Sequence, residues 1–163
     1  MKKPLSIIGR AEHVDFPQLL AVRVPAKIDT GADASSIWAH DVSKDEKGNL
    51  HVVFFGPGSD HYQEIVHIFK PSEYTITRVA NSFGHREVRY KVKLKIKVRR
   101  RLINGTFTLS DRSTKLYPIL LGRSLIKHKF LVDVTRGTPL VEEEKRRAVN
   151  LKEELIKLTE GDE

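Results

Sequence analysis

Asp29 is the residue best placed to do chemistry. It closes an apolar lead-in of Val24, Ala26 and Ile28, and it opens the run Asp29-Thr30-Gly31-Ala32-Asp33-Ala34-Ser35-Ser36-Ile37. A carboxyl group at the mouth of a buried strand is costly unless hydrogen-bonded. Such an acid is therefore either a turn aspartate capping nearby amides or a group kept for proton transfer. Gly31 permits a tight turn and close backbone approach, and the Thr30 hydroxyl can donate or accept beneath it. The stretch reads as strand, acid-bearing loop, strand.

Other chemistries lack their residues. There is no cysteine, so disulfides, thiol catalysis and cysteine zinc sites are excluded. The seven histidines (13, 40, 51, 61, 67, 85 and 128) include no close helical pair and no His-Glu-x-x-His, and His61 and His67 flank an expected strand. No metal site is expected. No Gly-rich loop ends in Lys-Ser or Lys-Thr, so ATP is unsupported and no cofactor is expected.

The elements that must position Asp29 are mostly strands. Leu5 to Glu12 and Leu19 to Val24 are rich in branched apolar residues, with Phe16-Pro17 as a turn between them. Val24 to Ile28 feeds the acid loop, and Ser35 to Ala39 continues as a strand. Ser43 to Asn49 reads as a polar loop. His51 to Phe55, Gln63 to Phe69 and Tyr74 to Ala80 read as strands, separated by Gly56-Pro57-Gly58-Ser59 and by Pro71-Ser72. Val79 to Tyr90 reads as a hairpin with its tip near Ser82 to Gly84. Lys91 to Val98 alternates strictly, with lysines at 91, 93, 95 and 97 opposite Val92, Leu94, Ile96 and Val98. That period marks a half-buried strand with a basic outer face. Asn104-Gly105 reads as a two-residue hairpin turn. Pro118 to Leu121 is a buried run, Gly122 opens a short helix over Arg123 to Lys127, and Phe130 to Val134 closes the set. After residue 136 the pattern becomes helical, with Thr138 as cap and Pro139 in the first turn. The chain thus divides into a body over 1–136 and a helical extension over 137–163.

The 163 residues are 39% apolar and carry a formal charge of +8. That length suits one domain with its own core. No run approaches a membrane-spanning helix, and the apolar part of Met1 to Ile8 is too short for a secretory signal. A cytoplasmic protein without membrane attachment is expected. The positive charge favours acidic partners, namely an acidic peptide, RNA or a ribosomal surface, or it serves solubility alone.

Three features in order carry a family resemblance. Asp29-Thr30-Gly31-Ala32-Asp33 is followed by the apolar Ile37. A glycine-bearing hairpin lies over Val79 to Tyr90. Ile119-Leu120-Leu121-Gly122-Arg123-Ser124-Leu125-Ile126 supplies an apolar pair, a Gly-Arg and a short helix. Together they resemble the retropepsins, the half-sized aspartic proteases, over about Ile28 to Ile126. Within that family the chain looks most like the bacterial branch that bears the name ATP-dependent zinc protease and is associated with glutamate addition to a ribosomal protein.

The resemblance implies an all-β fold, a closed six-stranded barrel of the acid-protease kind with one short helix and an appended one. It implies a homodimer in which Asp29 of each copy forms the catalytic dyad, because Asp111-Arg112-Ser113 is no second acid loop. Thr30 would lock the two loops together, and Gly31 would let substrate backbone approach. Ala32 and Ile37 would line or support side-chain pockets, or be plain core. Ser82, Phe83, Gly84 and His85 would form the flap over the substrate; alternatively Phe83 is core and His85 a solvated turn residue. Asp33 and Arg123 would form a structural, bidentate ion pair, or stand apart as exposed charges. The implied activity is aspartic endopeptidase, acting on an acidic peptide or a glutamate-extended ribosomal-protein tail. The competing reading is a noncatalytic module contacting RNA or the ribosome through Lys91, Lys93, Lys95, Lys97, Arg99, Arg100 and Arg101, although no aromatic platform is interleaved with them.

Overall fold

The computed structural model describes residues 2–80 and 83–160. Its strands are β1 (Ser6–Ile8), β2 (Ala11–Phe16), β3 (Ala21–Ile28), β4 (Ser35–Lys44), β5 (Leu50–Phe54), β6 (Val66–Phe69), β7 (Tyr74–Ala80), β8 (Arg86–Val98), β9 (Arg101–Ser110), β10 (Ile119–Leu121) and β11 (Phe130–Val132). Two α-helices, α1 (Arg123–Ile126) and α2 (Val141–Glu160), lie near the carboxyl end.

Six strands close a barrel in the order β2, β3, β10, β4, β9, β8 and back to β2. Closure depends on β10, whose three residues pair parallel with β3 (Ile119 with Ala26, Leu121 with Ile28) and antiparallel with β4 (Ile119 with Ile37). A strand so short can hold both neighbours only if buried, and Ile119 and Leu121 are fully so. The sheet extends from β4 through β5 to β6, and β7 pairs along β8. Strands β1 and β11 form a separate parallel pair.

The strict alternation of β8 becomes its burial. Val92, Leu94, Ile96 and Val98 face inward, and Lys93, Lys95 and Lys97 face out. They meet Phe16, Val24, Ile37, Phe107 and Ile119 in one core, with the Phe16 and Phe107 rings edge-on at 5.5 Å. At about 25 cal/mol per Å² of buried apolar surface, these large side chains dominate the favourable term in folding.

Two turns differ from expectation. Asn104-Gly105 lies inside β9, paired with Lys95 and Leu94. Gly105 is there for space: a Cβ would stand 2.8 Å from both Leu125 Cδ1 and the Phe107 ring. The β8–β9 reversal falls instead at Arg99-Arg100, with Arg99 at φ 56°. That strained backbone is held from its side chain, since Arg99 Nη2 donates to buried Glu12 Oε1 at 3.1 Å. The Glu12 carboxylate also receives the Gly9 amide at 2.8 Å. Leu5 to Glu12 is likewise not one strand. It breaks at Gly9-Arg10, where a Cβ on Gly9 would sit 2.4 Å from the Arg136 carbonyl and the Arg10 amide donates to that same oxygen at 2.7 Å.

Candidate active site

Strand β3 delivers Asp29 and β10 holds it. The Asp29 amide donates to the Leu121 carbonyl at 2.9 Å, one residue beyond the Ile28–Leu121 pair. The loop from Asp29 to Ala34 is then laced to the start of α1. Arg123 N donates to Ala32 O at 2.8 Å and Ser124 N to Asp33 O at 3.1 Å. Gly122 N donates to the buried Ser35 hydroxyl at 3.0 Å. The approach at Gly122 is so close that a Cβ would lie 2.5 Å from the Ala34 carbonyl oxygen. Beneath the loop, the Ser36 and Thr108 hydroxyls bond at 2.9 Å, and Thr108 also reaches the Ser35 carbonyl.

Asp29 is half-buried and Gly31 N donates to its Oδ1 at 3.0 Å. That bond is the one a capping aspartate makes. Asp29 also lines a cleft of about 590 Å³, which capping alone would not require. Arg10, Lys27, Arg112 and Lys115 bring four cationic side chains to the same cleft, against the carboxylates of Asp29 and Glu144. Burial and the repulsion of Arg89 push the Arg112 guanidinium below its usual range, while the attraction of Asp29 opposes them. Arg89 belongs to β8 at the base of the 79–90 hairpin, so that hairpin and the acid loop approach one guanidinium.

The remaining expected residues are placed as follows. Thr30 and Gly31 are exposed on the loop and Ala32 is half-buried. Ile37 is fully buried, with Ile119 and Leu109 beside it in the sheet; it backs the site from the core and does not line it. Arg123 meets Asp33 through Nε at 3.0 Å and Nη2 at 2.6 Å, both on the single oxygen Oδ1. The pairing is forked but not across both oxygens, because Nη1 is turned onto the Thr30 carbonyl at 2.9 Å. Phe83 is 87% exposed, which removes the core alternative for it. Gly84 takes φ 77°, the left-handed backbone a tight hairpin tip needs, and His85 is exposed beside it. Ser82 lies outside the described residues. Among the described residues, no group of three His, Cys, Asp or Glu side chains stands close enough to hold a metal ion, and no helix is long and apolar enough to cross a membrane.

Sequence reasoning missed Arg10, Tyr117 and Glu144 entirely, and treated Arg112 only as a residue too bulky for an acid loop. For Arg10, Arg112 and Glu144 the sole advance signal was charge, which does not specify where side chains converge, and Tyr117 had none.

A family model described as RimB-like, retropepsin-like aspartic endopeptidase RimB, matches residues 7–143. The chain belongs to this RimB-like family. The closed barrel is thus that of a retropepsin-like member. RimB-like membership also has longer relatives. The chain is 26% identical over 137 residues to a protein of Desulfotalea psychrophila named "Probable alpha-L-glutamate ligase", and 29% identical over 128 residues to one of the same name from Shewanella pealeana. Each match covers 78% of this chain but only 28% of the ligase, so the chain spans just over a quarter of those relatives' length. Among solved structures, protein Lpg0085 of Legionella pneumophila, of unknown function, superposes with a TM-score of 0.61 at 26% identity, over 80% of this chain and 95% of that one.

Proposed function

We propose that this RimB-like chain is an aspartic endopeptidase that works as a homodimer and cuts acidic peptides. The observation that carries the reading is Asp29, a carboxylate reachable from a cleft and fixed by its own turn. Among the described residues lining that cleft, the other carboxylate is Glu144, which Arg10 and Tyr117 hold. The second acid of the dyad is therefore Asp29 of a second copy across a two-fold axis. Two carboxyls about 3 Å apart cannot both ionise cheaply, so they share one proton. The protonated member polarises the scissile carbonyl, and the ionised member takes a proton from the attacking water. Oxygen of that water bonds to the carbonyl carbon, the C–N bond breaks, and the leaving amine is protonated from the dyad. Thr30 and Gly31, exposed beside Asp29, are free to meet their twins and the substrate backbone. Phe83, Gly84 and His85 form the covering hairpin tip.

The substrate class follows from charge. Four cationic side chains around Asp29 favour acidic residues flanking the scissile bond. The longer relatives named as glutamate ligases support a glutamate-extended tail, such as that of a ribosomal protein, as the natural form. The test is cleavage of a peptide ending in several glutamates. Turnover per chain should rise with protein concentration through the dimerisation range, and Asp29→Asn should abolish it while circular dichroism stays unchanged. Cleavage by the Asn variant at the wild-type rate would remove the assignment.

A further inference from the structure

Among the described residues of helix α2, Glu144 enters the cleft that Asp29 opens onto. Glu144 Oε2 receives Arg10 Nη2 at 3.1 Å, and Glu144 Oε1 receives the Tyr117 hydroxyl at 2.8 Å. Arg10 stands at the turn between β1 and β2, and Tyr117, buried, lies two residues before β10. Both sit on the rigid barrel. Strand β3 is tied to the same point, because the Ile28 amide donates to the Arg10 carbonyl at 2.9 Å, one residue before Asp29. A guanidinium and a hydroxyl converging on the two oxygens of one carboxylate is the arrangement that recognises a glutamate side chain. Here it is filled by a glutamate of the chain itself.

Farther along α2, the described apolar side chains give it little anchorage. Val149, Leu151, Leu155, Ile156 and Leu158 are all more than half exposed. The Arg10–Glu144 pair is open to solvent on both sides, with side chains 48% and 31% exposed. Such a pair is weak and can exchange with a competitor. Burial and the Glu144 carboxylate keep the Tyr117 hydroxyl protonated far up the pH scale, to about 12, so it remains a donor to whichever carboxylate is present.

We propose that Arg10 and Tyr117 form a subsite for an acidic side chain beside Asp29, and that Glu144 occupies it as a tethered stand-in which substrate must displace. The assignment rests on the acidic-peptide reading above. Helix α2 is then a self-masking strap. The apparent affinity for an acidic peptide is reduced by the fraction of molecules in which Glu144 fills the subsite.

The test uses the full chain carrying Asp29→Asn and a fluorescent tetraglutamate peptide, with binding read by anisotropy. Adding Glu144→Gln should tighten binding about tenfold, as expected if the subsite is open in about a tenth of molecules. Glu153→Gln removes the same charge from an exposed part of α2 outside the cleft and should leave affinity unchanged. Arg10→Ala and Tyr117→Phe should each weaken binding in the Glu144→Gln background. Peptide should also speed hydrogen exchange in the first turn of α2 when Glu144 is intact. Unchanged or weaker binding in Glu144→Gln, equal tightening in Glu153→Gln, or no tetraglutamate binding in any form would overturn the proposal. Hydrolysis plays no part in the readout. A chain that cleaves nothing can still pass this test, and a proven peptidase can still fail it.

Discussion

At the scale of single residues, the site depends on contacts with no slack. A Cβ on Gly31 would stand 3.3 Å from Asp29 Oδ1, so Gly31→Ala must move the carboxylate by a few tenths of an ångström. In the proposed enzyme that shift should lower kcat by about tenfold with little change in KM, since misplacement of a reacting group is expensive. Steady-state kinetics would show it. Gly122→Ala meets backbone and not a yielding side chain, and should destabilise the fold by about 2 kcal/mol in urea titration. Thr108→Val keeps the volume but strands the buried Ser36 hydroxyl and the Ser35 carbonyl. A loss of about 2 kcal/mol is expected from unpaired buried polar groups. Asp29 was legible because a strand-ending acid before Thr-Gly is a local pattern. Gly105 was misread as a turn because an Asn-Gly pair carries the local signature of a hairpin, while the packing of Leu125 and Phe107 over it is nonlocal.

At the scale of elements, the acid loop and α1 act as one piece. Arg123 spans them, gripping Asp33 Oδ1 and the Thr30 carbonyl together. The ion pair is exposed, with side chains 48% and 80% open, so Arg123→Lys should change stability by less than about 1 kcal/mol. A lysine cannot make the three contacts at once, so kcat should fall more than stability does, as parallel melts and kinetics would reveal. Helix α2 offers a second element-scale prediction. Tyr117 loses its proton near pH 12 against an ordinary value of 10. Its folded value is raised, so its contribution is complete below pH 10 and is lost as pH climbs toward 12. Tyrosinate absorbance should show a late component that disappears in Tyr117→Phe and moves toward the ordinary value in Glu144→Gln. The alternation of β8 was readable because side chains on a strand alternate between faces. The helix was readable from the helical pattern after residue 136, yet α2 starts at Val141, after Thr138 and Pro139 have made a turn in which the Thr138 carbonyl receives the Val141 amide.

At the scale of the molecule, charge and titration set the conditions of operation. Burial is the main cause that lowers the His13, His61 and His67 imidazoles below 6.5, helped by Arg23 at His13 and by His13 at His61. The unfolded chain therefore takes up protons first. As far as these histidines go, stability should be flat from about pH 7 up to the tyrosine range and fall as pH drops below 6.5 through the lowered folded values. Thermal melts from pH 7.5 to 5 would show the slope, and His67→Gln should make it shallower. The exposed lysines 93, 95 and 97 form a basic face on β8. If that face binds RNA, affinity should fall steeply with salt and with their replacement by alanine, while peptide cleavage at Asp29 persists.

The sequence by itself determined the acid loop, the inward and outward faces of β8, the short helix after Gly122 and the family to which these belong. Each is written in neighbouring residues, because backbone sterics and strand or helix period act over a few positions. Only the tertiary structure decided that Arg10 and Glu144, 134 residues apart, meet at the mouth of the Asp29 cleft. It also brought Tyr117 and Arg112 there and moved the β8–β9 turn to Arg99-Arg100. Barrel closure through β10 fixes which distant side chains share that opening. That register is set by the packing of the whole core, which no short stretch of chain contains.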